Sequence, residues 1–217
     1  MILMSDARTF HWISGNANEY LDFGEAIVKS MEQTLSKRRH ANNNEKVIFW
    51  DIACGSGWMS QYVAASFSDS LSRVVASDID SMAVRLTKQA SKLNGFEDLI
   101  HVKQGNLLEP FQDESPADFI FMYPPQMNHE IAKTKGARFS SAPVSLFLEE
   151  GTDMRHFFDV VINHIHTILK PGGTLFLGID HKHVEGVISY VVFEHHFCIC
   201  SLIIQLSNTD TYTNMHR

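Results

Sequence analysis

Cysteine is scarce: Cys54, Cys198 and Cys200 are the three in 217 residues. Three thiols do not make a disulfide framework, and Cys198 and Cys200 are too close in sequence to bridge easily. Buried thiols in a reducing compartment are the expectation, and with them a cytoplasmic location. Long apolar runs are missing too. No stretch of roughly 18 or more apolar residues occurs, and the N-terminus has no charged region followed by a long apolar one, so neither a membrane span nor a signal peptide is expected. Positive charge is in deficit, with 18 basic against 25 acidic side chains and a formal net charge of −7. Binding nucleic acid by counterion release needs a basic face, so no nucleic-acid partner is expected. The local cluster Lys37-Arg38-Arg39 reads as a solvated helix end. Internal repeats and low-complexity blocks are also lacking, which excludes solenoids and fibres.

What is present is a globular composition, 44% hydrophobic and 20% charged, enough to bury a real core in one domain. The polar stretch 41–45 divides the chain into an N-terminal helix and lid (1–40) and a core (45–217). Tyr20, Phe23, Ile27, Met31 and Leu35 recur at helical spacing and predict an amphipathic helix over about 18–38. Beyond the linker, apolar runs alternate with helical stripes. The runs are Val47–Trp50, Arg73–Asp78, Leu99–Val102, Phe119–Tyr123 and Thr174–Ile179. Being apolar on both faces, they read as strands of a parallel sheet covered on both sides. Met82, Leu86, Ala90 and Leu93 form one stripe, capped by Ser81 and ended by Asn94-Gly95. Met154, Phe157, Phe158, Val161, Ile165, Ile168 and Leu169 form another, stopped by Pro171-Gly172-Gly173. A last helix is expected near 183–192 and a last strand near 198–206. The fold class is therefore α/β, a Rossmann-like open, mostly parallel sheet with helices on both faces. In such sheets ligands bind outside the carboxyl ends of the strands.

The residues just after each run carry the chemistry. Asp51-Ile52-Ala53-Cys54-Gly55-Ser56-Gly57 puts two glycines between a strand and a helix, where a ligand can touch the backbone. Dinucleotide and S-adenosylmethionine folds share that device. A carboxylate such as Asp51 repels a pyrophosphate but suits an ammonium group. Ser60 stands where a dinucleotide fingerprint wants a third small glycine-like residue. Both features disfavour a nicotinamide dinucleotide. Asp78 ends the second run, where an acid can accept from two ribose hydroxyls, and Asp80 or Ser81 can cap the following helix in its stead.

Taken together, these motifs resemble the class I S-adenosylmethionine-dependent methyltransferases, most closely the group of release-factor glutamine methyltransferases and related small-domain enzymes. The resemblance spans about residues 45–180. It rests on Asp51-x-Ala-x-Gly55-x-Gly57, Val74-Val75-Ala76-Ser77-Asp78, Gln104–Pro110, Ala117–Gln126 and Leu169–Gly173, all in order. It implies that Asp51, Ala53, Gly55 and Gly57 line the methionine part of S-adenosylmethionine and that Asp78, with Ile79 beside it, binds the ribose. It also implies that Asn106 faces the adenine amino group with Leu107 stacking alongside. Ala53 stands for a family glycine, a change that strand geometry should tolerate.

The fourth-strand motif departs further. Relatives acting on planar amides or exocyclic amines carry Asn-Pro-Pro-Tyr; this chain has Tyr123-Pro124-Pro125-Gln126. Tyr123 offers no amide and Gln126 no aromatic face, which argues against a glutamine or nucleobase acceptor. A fainter likeness of Pro125-Gln126 to plant methionine S-methyltransferases points to a small, amino-acid-like substrate. Tyr123 is suited to a cation–π contact with a sulfonium. Tyr123, Gln126 and Asn128 are the catalytic candidates, with His129 a lesser one. Phe10, Trp12, Tyr20 and Phe23 are candidates for a lid over the substrate. His164/His166, His181/His183 and His195/His196 lack companions at ligand spacing, so no metal is expected. Three readings stay open: methyl transfer to a small acceptor, cyclisation of S-adenosylmethionine by its own amine to azetidine-2-carboxylate and methylthioadenosine, and a non-catalytic binding module. Pairing of two chains into a homodimer is a further open expectation.

Overall fold

The computed structural model describes residues 17–125 and 155–178, with side chains from residues 24 and 156 onward in the two stretches. Each apolar run becomes a strand: β1 Val47–Ile52, β2 Leu71–Asp78, β3 Ile100–Gln104, β4 Ala117–Met122 and β5 Leu169–Leu177. They form one sheet in the order β3-β2-β1-β4-β5, every pairing parallel. β1 and β4 are buried at every position, as central strands covered on both faces must be.

The helices are α1 Ala17–His40, α2 Trp58–Phe67, α3 Ser81–Leu93, α4 Arg155–Asn163 and the single turn α5 Ile165–Ile168, with a 3₁₀ turn at Glu109–Phe111. Ile27, Met31 and Leu35 of α1, Met59 and Val63 of α2 and Val84 of α3 bury against Phe49, Val74 and Phe119 on one sheet face. Phe158, Val161 and Ile162 of α4 cover Ile48, Trp50, Val75 and Ile120 on the other. The α/β class and the two-sided covering expected from the sequence are both present. The stripe Ile27, Met31 and Leu35 of the expected amphipathic helix covers a sheet face, while the side chains expected to form a lid lie outside the described residues.

Five local expectations are decided or corrected. Asp80, not Ser81, is the N-cap of α3, its side chain accepting from Met82 N–H at 2.9 Å. Leu93 leaves the stripe and is 55% exposed; polar Thr87 and Ser91 take core positions instead. The second stripe is two helices separated at His164. Pro171-Gly172-Gly173 does not stop a helix but lies inside β5, where the register slips from Ala117↔Leu169 to Phe119↔Thr174. Arg38 is no solvated helix end: it bonds Asp118 Oδ1 at 2.6 Å. Lys170 Nζ and Ile48 N–H donate to Asp118 Oδ2 at 2.8 and 2.9 Å. This buried carboxylate clasps the C-terminal end of α1 to the amino ends of the strands.

The topology fixes where a ligand belongs. β1 lies between β2 and β4, so the chain leaves it toward β2 and β3 and returns to its other side for β4 and β5. The carboxyl end of β1 is the switch point, and the crevice there is where open α/β sheets bind ligands.

Candidate S-adenosylmethionine site

At the switch point β1 delivers Asp51, which is wholly buried. The chain then turns through Cys54–Gly57, with Gly57 N–H bonded to the Cys54 carbonyl at 2.8 Å, and enters α2. Gly57 is the N-cap and has no side chain to satisfy the first helical N–H groups, which an N-terminus leaves unpaired. Asp51 supplies that acceptor from the neighbouring strand. Its Oδ2 takes the Ser60 N–H at 3.1 Å and the Ser60 hydroxyl. Its Oδ1, equally buried, has no partner among the described residues. A buried acceptor without a donor is costly, about 1–3 kcal/mol, so this atom calls for a donor beyond the described residues. Burial pushes the Asp51 carboxyl up to about 7, against the opposing pull of the two Ser60 bonds; the charge of Asp78 pushes the same way as burial.

Asp78 ends β2 beside it. Its Oδ2 accepts from Gly55 N–H at 2.8 Å and its Oδ1 from Asp80 N–H at 2.9 Å. Each oxygen keeps a second lone pair, the number that two vicinal hydroxyls require. Burial raises its carboxyl above the ordinary range, opposed by those backbone donors. Because Asp80 caps α3, Asp78 is not spent on that task.

The glycine loop is held from both sides. Thr87 Oγ1 donates to the Gly55 carbonyl at 3.1 Å while Asp78 holds the Gly55 N–H. Gly55 has φ +55°, and a Cβ there would meet no described residue within 4 Å, a gap beside half-buried backbone. Gly57 has φ +73°, and a Cβ there would come 2.4 Å from Thr87 Cγ2, so glycine is required for the close approach of loop and α3. Ala53 is not in strand geometry: its φ is +59°, the left-handed region, where alanine is strained and glycine is not. Cys54 is buried, and burial pushes its thiol well above the ordinary range, so it is an inert packing group.

Around this centre stand the other predicted residues. Ile79 projects from the end of β2, 57% exposed. Asn106 is exposed, its N–H bonded to Glu109 Oε2 at 3.0 Å, and Leu107, at φ +45°, packs half-buried against the cluster containing Trp50 and Phe111. Tyr123 follows β4, half-buried, its ring so close over Gly178 that a Cβ there would lie 2.4 Å from Cδ2. Asp51, Ala53, Gly55, Gly57, Asp78, Ile79 and Tyr123 thus all follow or end strands at one sheet edge. Tyr20 and Phe23 lie on the backbone of α1. Phe10, Trp12, Gln126, Asn128, His129, Cys198, Cys200 and the expected final helix and strand lie outside the described residues. Among the described residues no group of His, Cys, Asp or Glu could hold a metal, and no helix is long and apolar enough to cross a membrane.

Ser60 and Thr87 escaped sequence reasoning. Read against a dinucleotide fingerprint Ser60 is only a missing glycine, although its place three residues past Gly57 is that of an unpaired helical N–H. Thr87 was hidden by its position in an apolar stripe.

An acid near the end of β1, a glycine turn into a helix and a second acid ending β2 lie together at the switch point of a Rossmann-like sheet. Residues 17–155 match the family model of the methyltransferase small domain, and the chain belongs to that family. It is 27% identical over 145 residues to the release factor glutamine methyltransferase of Chlamydia trachomatis serovar L2, a match covering 67% of this chain and 48% of that one. It is 45% identical over 65 residues to the ribosomal protein L11 methyltransferase of Oceanobacillus iheyensis, covering 30% of this chain and 20% of the relative. The chain therefore spans half or less of these relatives' length. The crystal structure of a ribosomal protein L11 methylase from Lactobacillus delbrueckii subsp. bulgaricus is similar with a TM-score of 0.49 at 15% identity, over 70% of this chain and 60% of that one.

Proposed function

We propose that the protein is an S-adenosylmethionine-dependent methyltransferase whose acceptor is a small, amino-acid-like molecule. The observation that carries the first half is the unpartnered Asp51 Oδ1, buried at the switch point beside a second carboxylate. Two buried acids at one sheet edge favour a cationic ligand, and the lone pairs left on Asp78 suit a ribose diol. Asp51 would hold the ammonium group, the Gly55–Gly57 backbone would lie along the methionine chain, and Asp78 would hold the ribose. S-adenosylmethionine, when bound, supplies an electrophilic methyl group on a sulfonium. The protein's part in such an in-line displacement is orientation and exclusion of water. Tyr123, packed over Gly178, would be the aromatic partner of the sulfonium in a cation–π contact.

The acceptor reading rests on Tyr123 and Gln126, which replace the amide and the aromatic ring of the Asn-Pro-Pro-Tyr motif. The relatives' names specify protein acceptors, so proteins belong in the test. Purified enzyme is incubated with methyl-labelled S-adenosylmethionine alone, with pools of free amino acids, and with release-factor and ribosomal proteins. Label moving to a free amino acid, with S-adenosylhomocysteine formed in step, is expected. Label on protein alone would overturn the small acceptor. Methylthioadenosine formed without any acceptor would favour cyclisation.

A further inference from the structure

Asp51 is gripped asymmetrically. Ser60 presents two donors, its N–H from the first turn of α2 and its hydroxyl, and both converge on Oδ2. Ser60 is itself wholly buried, so the pair is shielded from water. Donors meeting one oxygen from two directions fix the plane of the carboxylate, where a lone N–H would leave it free to rotate about its last bond. The oxygen left over is Oδ1, which no described residue satisfies. The backbone donor is available whatever residue stands at this position; the hydroxyl is not.

We infer that Ser60 is a positioning residue for the ammonium end of the ligand, holding Asp51 through Oδ2 so that Oδ1 is kept for an incoming N⁺–H donor. The inference rests on the S-adenosylmethionine reading above and adds a specificity to it. The hydroxyl acts on the amino-acid half of the ligand and leaves the nucleoside half to Asp78. It also favours the ionised form of Asp51 against burial, the form that an ammonium needs. The other titratable groups acting here are Asp78 on β2, which opposes ionisation of Asp51, and Cys54 in the loop, which is held neutral.

The test compares wild type with Ser60→Ala by calorimetry, using S-adenosylhomocysteine and 5′-methylthioadenosine, which lacks the ammonium and carboxylate. Ser60→Ala is expected to weaken S-adenosylhomocysteine about tenfold at pH 7, the size of one charge-assisted bond, and to change methylthioadenosine less than about twofold. The pH at which S-adenosylhomocysteine affinity levels off is expected to move upward in the variant. Equal affinities in both proteins, or an equal loss for both ligands, would overturn the role of Ser60 while leaving the functional reading intact. A wild type that binds neither ligand overturns that reading, and the inference with it.

Discussion

Gly55 N–H donates to Asp78 Oδ2 at 2.8 Å, tying the glycine loop that follows β1 to the end of β2. One carboxylate therefore sets the loop proposed to lie along the ligand and would offer its remaining lone pairs to that ligand. Asp78→Asn keeps the shape but turns an amide N–H₂ toward a backbone donor. A loss of about 1–3 kcal/mol in denaturant unfolding is expected, accompanied by weaker nucleoside binding. Weaker binding with unchanged stability would mean that the tie to Gly55 carries no weight.

Ala53 and Gly57 form a contrasting pair. Ala53, at φ +59°, stands where glycine is relaxed, so Ala53→Gly should stabilise the fold by about 0.5–1 kcal/mol, even after the unfolded-state entropy that glycine adds. Gly57→Ala drives a methyl to 2.4 Å from Thr87 Cγ2 and should cost about 2 kcal/mol or more while loosening the loop. Chemical denaturation of both variants beside wild type measures the two signs directly.

Asp118 gives the fold an acid-sensitive clasp. Burial opposes its charge, but Lys170, Arg38 and the Ile48 N–H outweigh it and hold the carboxyl below its ordinary value. A depressed acid stabilises the fold above the unfolded-state value and loses that contribution as pH falls through the folded one. Asp118→Asn should therefore cost about 1–3 kcal/mol near neutrality. The gap from wild type should close on acidification below about pH 4. Thermal melts across that range test this, and a gap that persists in acid would contradict it.

Asp51 behaves in the opposite sense. Burial first, then the charge of Asp78, lifts its carboxyl to about 7. The ligand-free fold thus holds a proton that the unfolded chain has released, and this contribution fades as pH rises from about 4 through about 7. An ammonium ligand needs the ionised form, so binding near pH 6 should expel about one proton. Calorimetry of S-adenosylhomocysteine in buffers of different ionisation enthalpy counts it. Asp51→Asn should abolish the release, and a buffer-independent heat in wild type would contradict the assignment.

The sheet was legible because its strands are short runs apolar on both faces, rich in Val, Ile and Phe and each closed by an acid or turn residues, the pattern of covered parallel strands. Helix boundaries were less so. Nothing local tells that Asp80 outcompetes Ser81 as a cap, or that Pro171-Gly172-Gly173 is carried inside β5; both depend on neighbours from other elements. Asp51 and Asp78 could be read because each ends an apolar run. The grip of Ser60 on Asp51 spans two elements, and spacing past Gly57 marks only its unpaired N–H, not its partner; the clasp of Arg38 on Asp118 joins distant elements and leaves no trace in spacing. The left-handed backbone of Ala53 was hidden for a further reason: alanine, unlike glycine, gives no sign of positive φ.

The account stands on Asp51 and Asp78 jointly holding the two ends of S-adenosylmethionine. Titrating S-adenosylhomocysteine at pH 8 into wild type and into the Asp51→Asn, Asp78→Asn double variant, with folding of both verified by circular dichroism, tests this most directly. A saturable one-site heat in wild type that falls at least about a hundredfold in affinity in the folded double variant is the predicted result. No heat in wild type, or the same affinity in both, would contradict it.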